Sequence, residues 1–385
     1  MTTAPVTPEC IRQAAERSSR SREELLVKFP KLPEWESGTA RPTLPQAREF
    51  ARKVHVPVGA LFLSRPLAAD IPIPDFRTTA TRPITGPGPN LLATIYTCQE
   101  RQNWYRDFAR ATGRPERAFI ASTTPATRPE TAAADIGKTL GLPRPPFRAC
   151  ATTDDALRMF IRQADRAGIL VMVSGIVKSN TRRPLDVDEF RGFALADPLA
   201  PLIFINGADT KAAQIFTLAH ELAHLWLGET ALSNPNAGPG PAPRQQEVWC
   251  NAVAADLLVP MGAFRESLNG DEPLADTPER LARIFKVSAL VILRRLLDAG
   301  RIDRTRFNRE WEAEMERGRD RTEQRRTGGG DFYPTTLSRV GHRFARALIT
   351  STLEGQTLYR DAFRMLGISK AETLNKLGIA AGVLE

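Results

Sequence analysis

The chain has 385 residues, 42% hydrophobic and 25% charged, with a net charge of +9. That balance suits a globular protein of two or three domains with a sizeable core. No apolar run approaches the roughly 20 residues of a membrane span, and the start MTTAPVTPECIRQ lacks the basic and apolar regions of a secretion signal. Cys10, Cys98, Cys150 and Cys250 lie far apart and form no CxxC pair, which argues against a disulfide framework or a cysteine zinc site and fits a reducing cytoplasm. The positive excess permits acidic partners, nucleic acid included, without requiring them.

Residues 8–64 are expected to form short helices. PECIRQAAERS is amphipathic, Ser21 is placed to cap REELLVKF, and Gly38 reads as a stop after PKLPEWES. TLPQAREFARKVHVP carries Leu44, Ala47, Phe50, Ala51 and Val54 at helical spacing. Residues 65–90 are proline-rich and read as a linker. Helices are expected over 90–113, 129–141 and 153–167. ILVMVSGIV (169–177), EFRGFALAD (189–197) and PLIFIN (201–206) read as strands, one of the latter two at a sheet edge where an extended peptide could pair.

TKAAQIFTLAHELAHLWLG is a strong helix pattern. SNPNAGPGPAPR (233–244) reads as a flexible loop and a candidate gate, and QQEVWCNAVAADLLVP (245–260) as an apolar helix stopped by Pro260. Residues 278–300 read as a helix pair and 304–326 as a solvated helix, charged all round. GGG at 328–330 reads as a hinge before a small helical unit, and no internal repeat is present.

FTLAHELAHLWLG (216–228) holds His220 and His224, two of the chain's four histidines. At i and i+4 they share one helix face, which lets two imidazoles reach one tetrahedral ion. Glu221 projects about 100° around the helix, where a carboxylate can take a proton from water at the open coordination position. Leu218, Leu222 and Leu225 form an apolar stripe on the opposite side. The bland alternative is a buried helix with two satisfied histidines, but three unpaired polar groups in register on an apolar helix make it costly.

A hydrolytic site needs a third ligand and an open fourth position. His55 and His342 lie far away in sequence. Glu247, on the apolar helix beyond the loop, is the better candidate, with Asn251 four residues later on the same face as a supporting polar neighbour. Asp256 and Glu229 are weaker alternatives. The structural alternative leaves Glu247 exposed at the helix start, favouring the helix dipole alone. Arg191 reads by default as a surface arginine, and the transition-state stabiliser is unassigned.

FTLAHELAHLWLG, followed by EVWCNAVAADLLVP and preceded by DEFRGFALADPLAPLIFIN, resembles the ImmA/IrrE family of zinc metallopeptidases. WESGTARPTLPQAREFARKVHVPVGALFL and IPIPDFRT are similar to the Xre-type helix–turn–helix fused to such domains, and GGGDFYPTTLSRVGHRFARAL with EGQTLYRDAFRMLGI resembles the tail of the family's long members. The resemblance implies a gluzincin-like domain in which His220, His224 and Glu247 bind Zn2+ and Glu221 is the base. It also implies a protein substrate, a repressor or toxin-like regulator, with double-stranded DNA as a second candidate partner and no membrane partner. The alternative it implies is a non-proteolytic DNA-binding regulator or antitoxin.

The fold expected is therefore α+β. A small all-helical Xre-like domain spans 1–66, a linker and helical connector 67–125, the metallopeptidase domain with a short mixed or antiparallel sheet 126–300, and a charged connector with a helical C-terminal extension 301–385. One departure stands out: only FPKLP separates REELLVK from Glu34-Trp35-Glu36-Ser37-Gly38. A recognition helix needs about two turns to present several side chains to a major groove. The unit is thus expected to keep the scaffold without sequence-specific reading, leaving phosphate contacts by Arg12, Arg17, Arg20 and Arg22 as the route to DNA.

Overall fold

The structure, a computed structural model, describes residues 3–18, 20–66, 73–74, 87–233, 245–269, 276–324 and 331–384. Most of the expected linker at 65–90, the expected gate loop beyond Ser233 and the GGG hinge lie outside the described residues.

Four short helices open the chain: α1 (Pro8–Glu16), α2 (Arg22–Lys28), α3 (Leu32–Ser37) and α4 (Leu44–Lys53). Their ends follow local chemistry. The Ser21 side chain accepts the Glu24 N–H, Thr43 and Gln46 form a capping box, and Gly38 ends α3 in the left-handed region at φ 78°. Ile11, Leu25, Trp35, Phe50 and Leu61 belong to a small core of their own. α3 has six residues and turns Leu32 and Trp35 inward.

The long helix α5 (Pro89–Ala111) leads to α6 (Pro129–Thr139) and α7 (Thr153–Ala167). Next come β1 (Leu170–Ser174), a hairpin of β2 (Ile176–Val177) and β3 (Asn180–Pro184), then β4 (Gly192–Leu195) and β5 (Leu202–Asn206). Helix α8 (Lys211–Leu227) carries HELAH and is followed by β6 (Ala231–Ser233) and α9 (Gln245–Leu258). The main sheet runs β1-β5-β4-β6, with β1 and β5 parallel and β4 antiparallel to both its neighbours. The mixed α+β character matches expectation, but the edge assignment is corrected: β4 and β5 are both interior. β6 covers β4, and its own outer side is met by the Leu232 N–H donating to the Pro74 carbonyl at 2.9 Å.

Alternation along the strands divides two cores. Val171, Ala194, Ile203 and Ile205 face one side, where α6 to α9 pack. The short α10 (Met261–Glu266) and the pair α11 (Thr277–Phe285) and α12 (Ala289–Asp298) complete that side. Leu170, Met172, Phe193, Leu195, Leu202 and Phe204 face the other. There α5 packs with α14 (Phe332–Val340), α15 (His342–Leu353), α16 (Tyr359–Leu366) and α17 (Ala371–Ala380). The boundary expected at residue 300 thus falls within one body: two sets of helices sandwich one sheet, with α5 from before it in the second set and α13 (Arg304–Gln324) from after it in the first. Buried Arg101 of α5 ties this layer together by donating to the Met365 carbonyl through Nε and Nη2, at 3.1 and 2.8 Å.

The segment expected to be charged all round also differs. It forms α13 (Arg304–Gln324), but Phe307 and Trp311, one turn apart, are buried in the first core. Two aromatics at i and i+4 suffice for an anchoring stripe, however charged the other faces are.

Candidate metal centre

Helix α8 is set by ordinary signals. Thr210 caps its start, and Gly228 ends it in the left-handed region at φ 73°. Leu218, Leu222 and Leu225 sink into the first core as the apolar stripe requires. Two indoles pin α8 and α9 beside α6: Trp226 Nε1 donates to Asp135 Oδ2 at 2.8 Å, and Trp249 Nε1 donates to the Thr127 carbonyl at 2.7 Å.

The packing of α8 on α9 brings His220, His224 and Glu247 together. The two Nε2 atoms are 3.1 Å apart, His224 Nε2 lies 3.1 Å from Glu247 Oε1, and His220 Nε2 lies 3.4 Å from Glu247 Oε2. Ligand bonds of about 2.0–2.1 Å to one tetrahedral zinc place neighbouring donor atoms roughly 3.3–3.4 Å apart. The trio fits that spacing, and its donor set of two imidazoles and a carboxylate suits zinc. Glu247 is only 4% exposed, which excludes the exposed helix-start alternative.

One helix also supplies the supporting groups. Asn251, one turn beyond Glu247, accepts from His220 Nδ1 at 3.1 Å, an outer hydrogen bond of the kind that orients ligating imidazoles. Cys250 acts electrostatically on the His224 ring and helps raise its pKa, and Glu229 Oε2 lies 3.7 Å from His224 Nδ1. Cys250 escaped the sequence reading, although its position three residues after Glu247 places it on the same side of the helix. Of the weaker ligand candidates, Glu229 thus faces an outer nitrogen. Asp256 pairs with Arg295 at 3.1 Å and Arg144 at 3.2 Å. Arg191 is largely buried and paired with Asp209 at 3.1 Å, not a free surface arginine.

Glu221 is fully buried, and neither carboxylate oxygen has a hydrogen-bond partner among the described residues. Burial and the charge of Glu247 push its pKa up to about 8, against the pull of His224 and Ser233. Glu247 behaves oppositely: burial would raise it, but the two histidines outweigh that and hold it at about 2. Burial lowers the His220 pKa. For His224 burial acts the same way, but Cys250, Glu229 and Glu247 overcome it and raise the pKa well above its ordinary value. Buried, unpartnered carboxylate oxygens facing clustered imidazoles are the polarity a cation compensates.

Residues 164–297 match the family model of the IrrE N-terminal-like domain, a metallopeptidase family. This IrrE-like segment runs from the end of α7 through α12, so it holds the trio, Glu221 and the whole main sheet. Residues 340–379, within the helical layer on the sheet's other face, match a domain of unknown function (DUF8813). No curated protein matches the chain.

The four arginines expected at DNA lie in the helical N-terminal unit, outside both matched segments. Arg12 pairs with Glu9, Arg20 with Glu24, and Arg22 with Glu36; Arg17 is partly buried and also engaged. No helix among the described residues is long and apolar enough to cross a membrane.

Proposed function

We propose that the protein is a zinc-dependent endopeptidase of regulatory type that cuts a partner protein, a repressor or toxin-like regulator. The observation that carries this is the meeting of His220, His224 and Glu247 at tetrahedral spacing beside the unpartnered carboxylate of Glu221. Zinc held there supplies Lewis acidity and a water acidic enough to attack a carbonyl near neutral pH. Glu221 takes the proton from the attacking water and returns it to the leaving amine. Its environment suits that exchange, because burial raises the carboxyl's affinity for a proton. Asn251 holds the His220 imidazole in its ligating orientation. Four unpaired cysteines, three of them buried, fit a reducing cytoplasm.

The test is the Glu221→Gln protein used as a trap. It should retain zinc, capture its substrate uncut, and yield that substrate to mass spectrometry, while the wild-type protein releases fragments. Biological activity that survives this substitution contradicts the reading.

A second reading, a non-proteolytic regulator or antitoxin with an idle metal, is favoured by one observation: the trio and Glu221 are only 0–4% exposed. A stable, uncut toxin in the wild-type complex would decide for it. Double-stranded DNA remains the candidate for the N-terminal unit, through phosphates and not bases. A mobility shift that salt abolishes equally for all sequences is the expected sign, and a sequence-dependent shift contradicts it.

A further inference from the structure

Ser233, the last residue of β6, has no part in the chemistry above, yet its hydroxyl lies inside the metal centre. Its Oγ is 3.3 Å from His224 Nε2, the nitrogen that faces Glu247 and His220. That is the spacing already seen among the trio, and it is what two donors on one tetrahedral ion keep, roughly 3.3–3.4 Å. A group next to the ligating nitrogen of His224, on the strand paired with Gly192 where β4 lies against Glu221, stands where the attacking water belongs. Ser233 is itself fully buried.

The backbone explains how the hydroxyl is held there. Ser233 pairs with Gly192 across the β4–β6 ladder, followed by Leu232 with Phe193 and Ala231 with Ala194. At Gly192 the strand lies so close to α8 that an added Cβ would stand 2.5 Å from Thr217 Cγ2 and 3.1 Å from Glu221 Oε1. The β4–β6 ladder is therefore pressed onto the helix turn that carries the base. β6 is fastened on its far side as well, by the Leu232 N–H to the Pro74 carbonyl. The strand edge beside the metal centre is thus occupied by the chain itself.

We propose that Ser233 is the resting occupant of the fourth coordination position, so that the centre is latent until β6 moves. This rests on the zinc-site reading given above. A neutral hydroxyl lies outside the usual zinc ligand set of thiolate, imidazole and carboxylate. It therefore holds the position weakly, and water or a substrate carbonyl can displace it once the strand shifts. The device also accounts for a hydrolytic donor set whose side chains are almost fully buried.

Full-length protein loaded with Co(II) in place of zinc tests this without a substrate. In the Ser233→Cys protein the thiolate should ligate the metal and add a sulfur-to-cobalt charge-transfer band in the near ultraviolet that the wild type lacks. Cys250 is present in both proteins, so a band specific to the variant reports position 233. A variant with one bound cobalt and no such band overturns the proposal. Should that variant not fold, Ser233→Ala decides: acetohydroxamate should bind its cobalt form about tenfold or more tightly than the wild-type form, and equal affinity overturns the proposal. A wild-type protein that takes up no cobalt or zinc at all instead overturns the metal reading beneath it.

Discussion

At the scale of single residues, ligand, base and supporting group respond differently to replacement. Glu221→Gln removes the proton carrier and leaves the donor trio intact, so metal content should stay near one equivalent while hydrolysis falls by at least 10²–10⁴-fold, roughly what a positioned general base contributes. Asn251→Ala leaves all three ligands but frees the His220 ring. Zinc affinity, read by competition with a chromophoric chelator, should fall about 10–100-fold, and an unchanged affinity removes Asn251 from the site. The pH dependence follows from His224. Its raised pKa keeps a proton on the ring in the metal-free protein, and zinc must displace that proton. Apparent zinc affinity should therefore rise with pH, about tenfold per unit for each proton displaced, and level off above the His224 pKa. An affinity that stays flat between about pH 6 and 8 contradicts this. His220, Glu221 and His224 were legible because helix periodicity turns spacing into direction. Glu247 and Asn251 were legible as polar exceptions on an apolar helix. Ser233 was not, since its importance comes from pairing with Gly192 on a strand 41 positions earlier in the chain, which no local pattern announces.

At the scale of elements, the decisive feature is the tight seat of β4 and β6 on α8. Gly192→Ala should push the strand off the helix, because the new Cβ would approach Thr217 Cγ2 at 2.5 Å and the Phe204 carbonyl oxygen at 2.9 Å. Overpacking of this kind typically costs about 1–3 kcal/mol. A lower Tm together with a looser metal centre is expected, and a Tm equal to wild type contradicts the seating. Long elements with strong periodicity, such as α7 and α8, were readable almost to the residue. The three-residue β6 was not, because its Ala-Leu-Ser has no alternation to detect and gains its strand character from β4. In α13 charge hid an aromatic stripe: Phe307 and Trp311 were present in the sequence, but only packing shows that they anchor the helix.

At the scale of the whole molecule, one sheet is covered by helices on both faces, and the covers come from distant parts of the chain. Ending the chain at residue 330 would strip α14 to α17 from Leu170, Met172, Phe193 and Phe204. The shortened protein should aggregate or lose cooperative unfolding and fail to hold zinc; a soluble, cooperatively folding product with one zinc would show that the layer is dispensable. The N-terminal unit closes a core of its own, so removing residues 1–66 should leave zinc stoichiometry unchanged. The α+β class was legible from three strand runs among many helices. The shared core was not, since a charged helix and a glycine run between residues 300 and 331 have the composition of a boundary.

The measurement that bears hardest on the function is a comparison of newly created protein N-termini in the host cell, with and without Glu221. Wild-type and Glu221→Gln proteins, each with and without Ser233→Ala to relieve the resting closure, are expressed at equal level and checked for one bound zinc. Cleavage of a partner protein that requires Glu221, stronger in the Ser233→Ala background, is the predicted result. Identical N-termini in all four strains, with zinc bound in each protein, would contradict it.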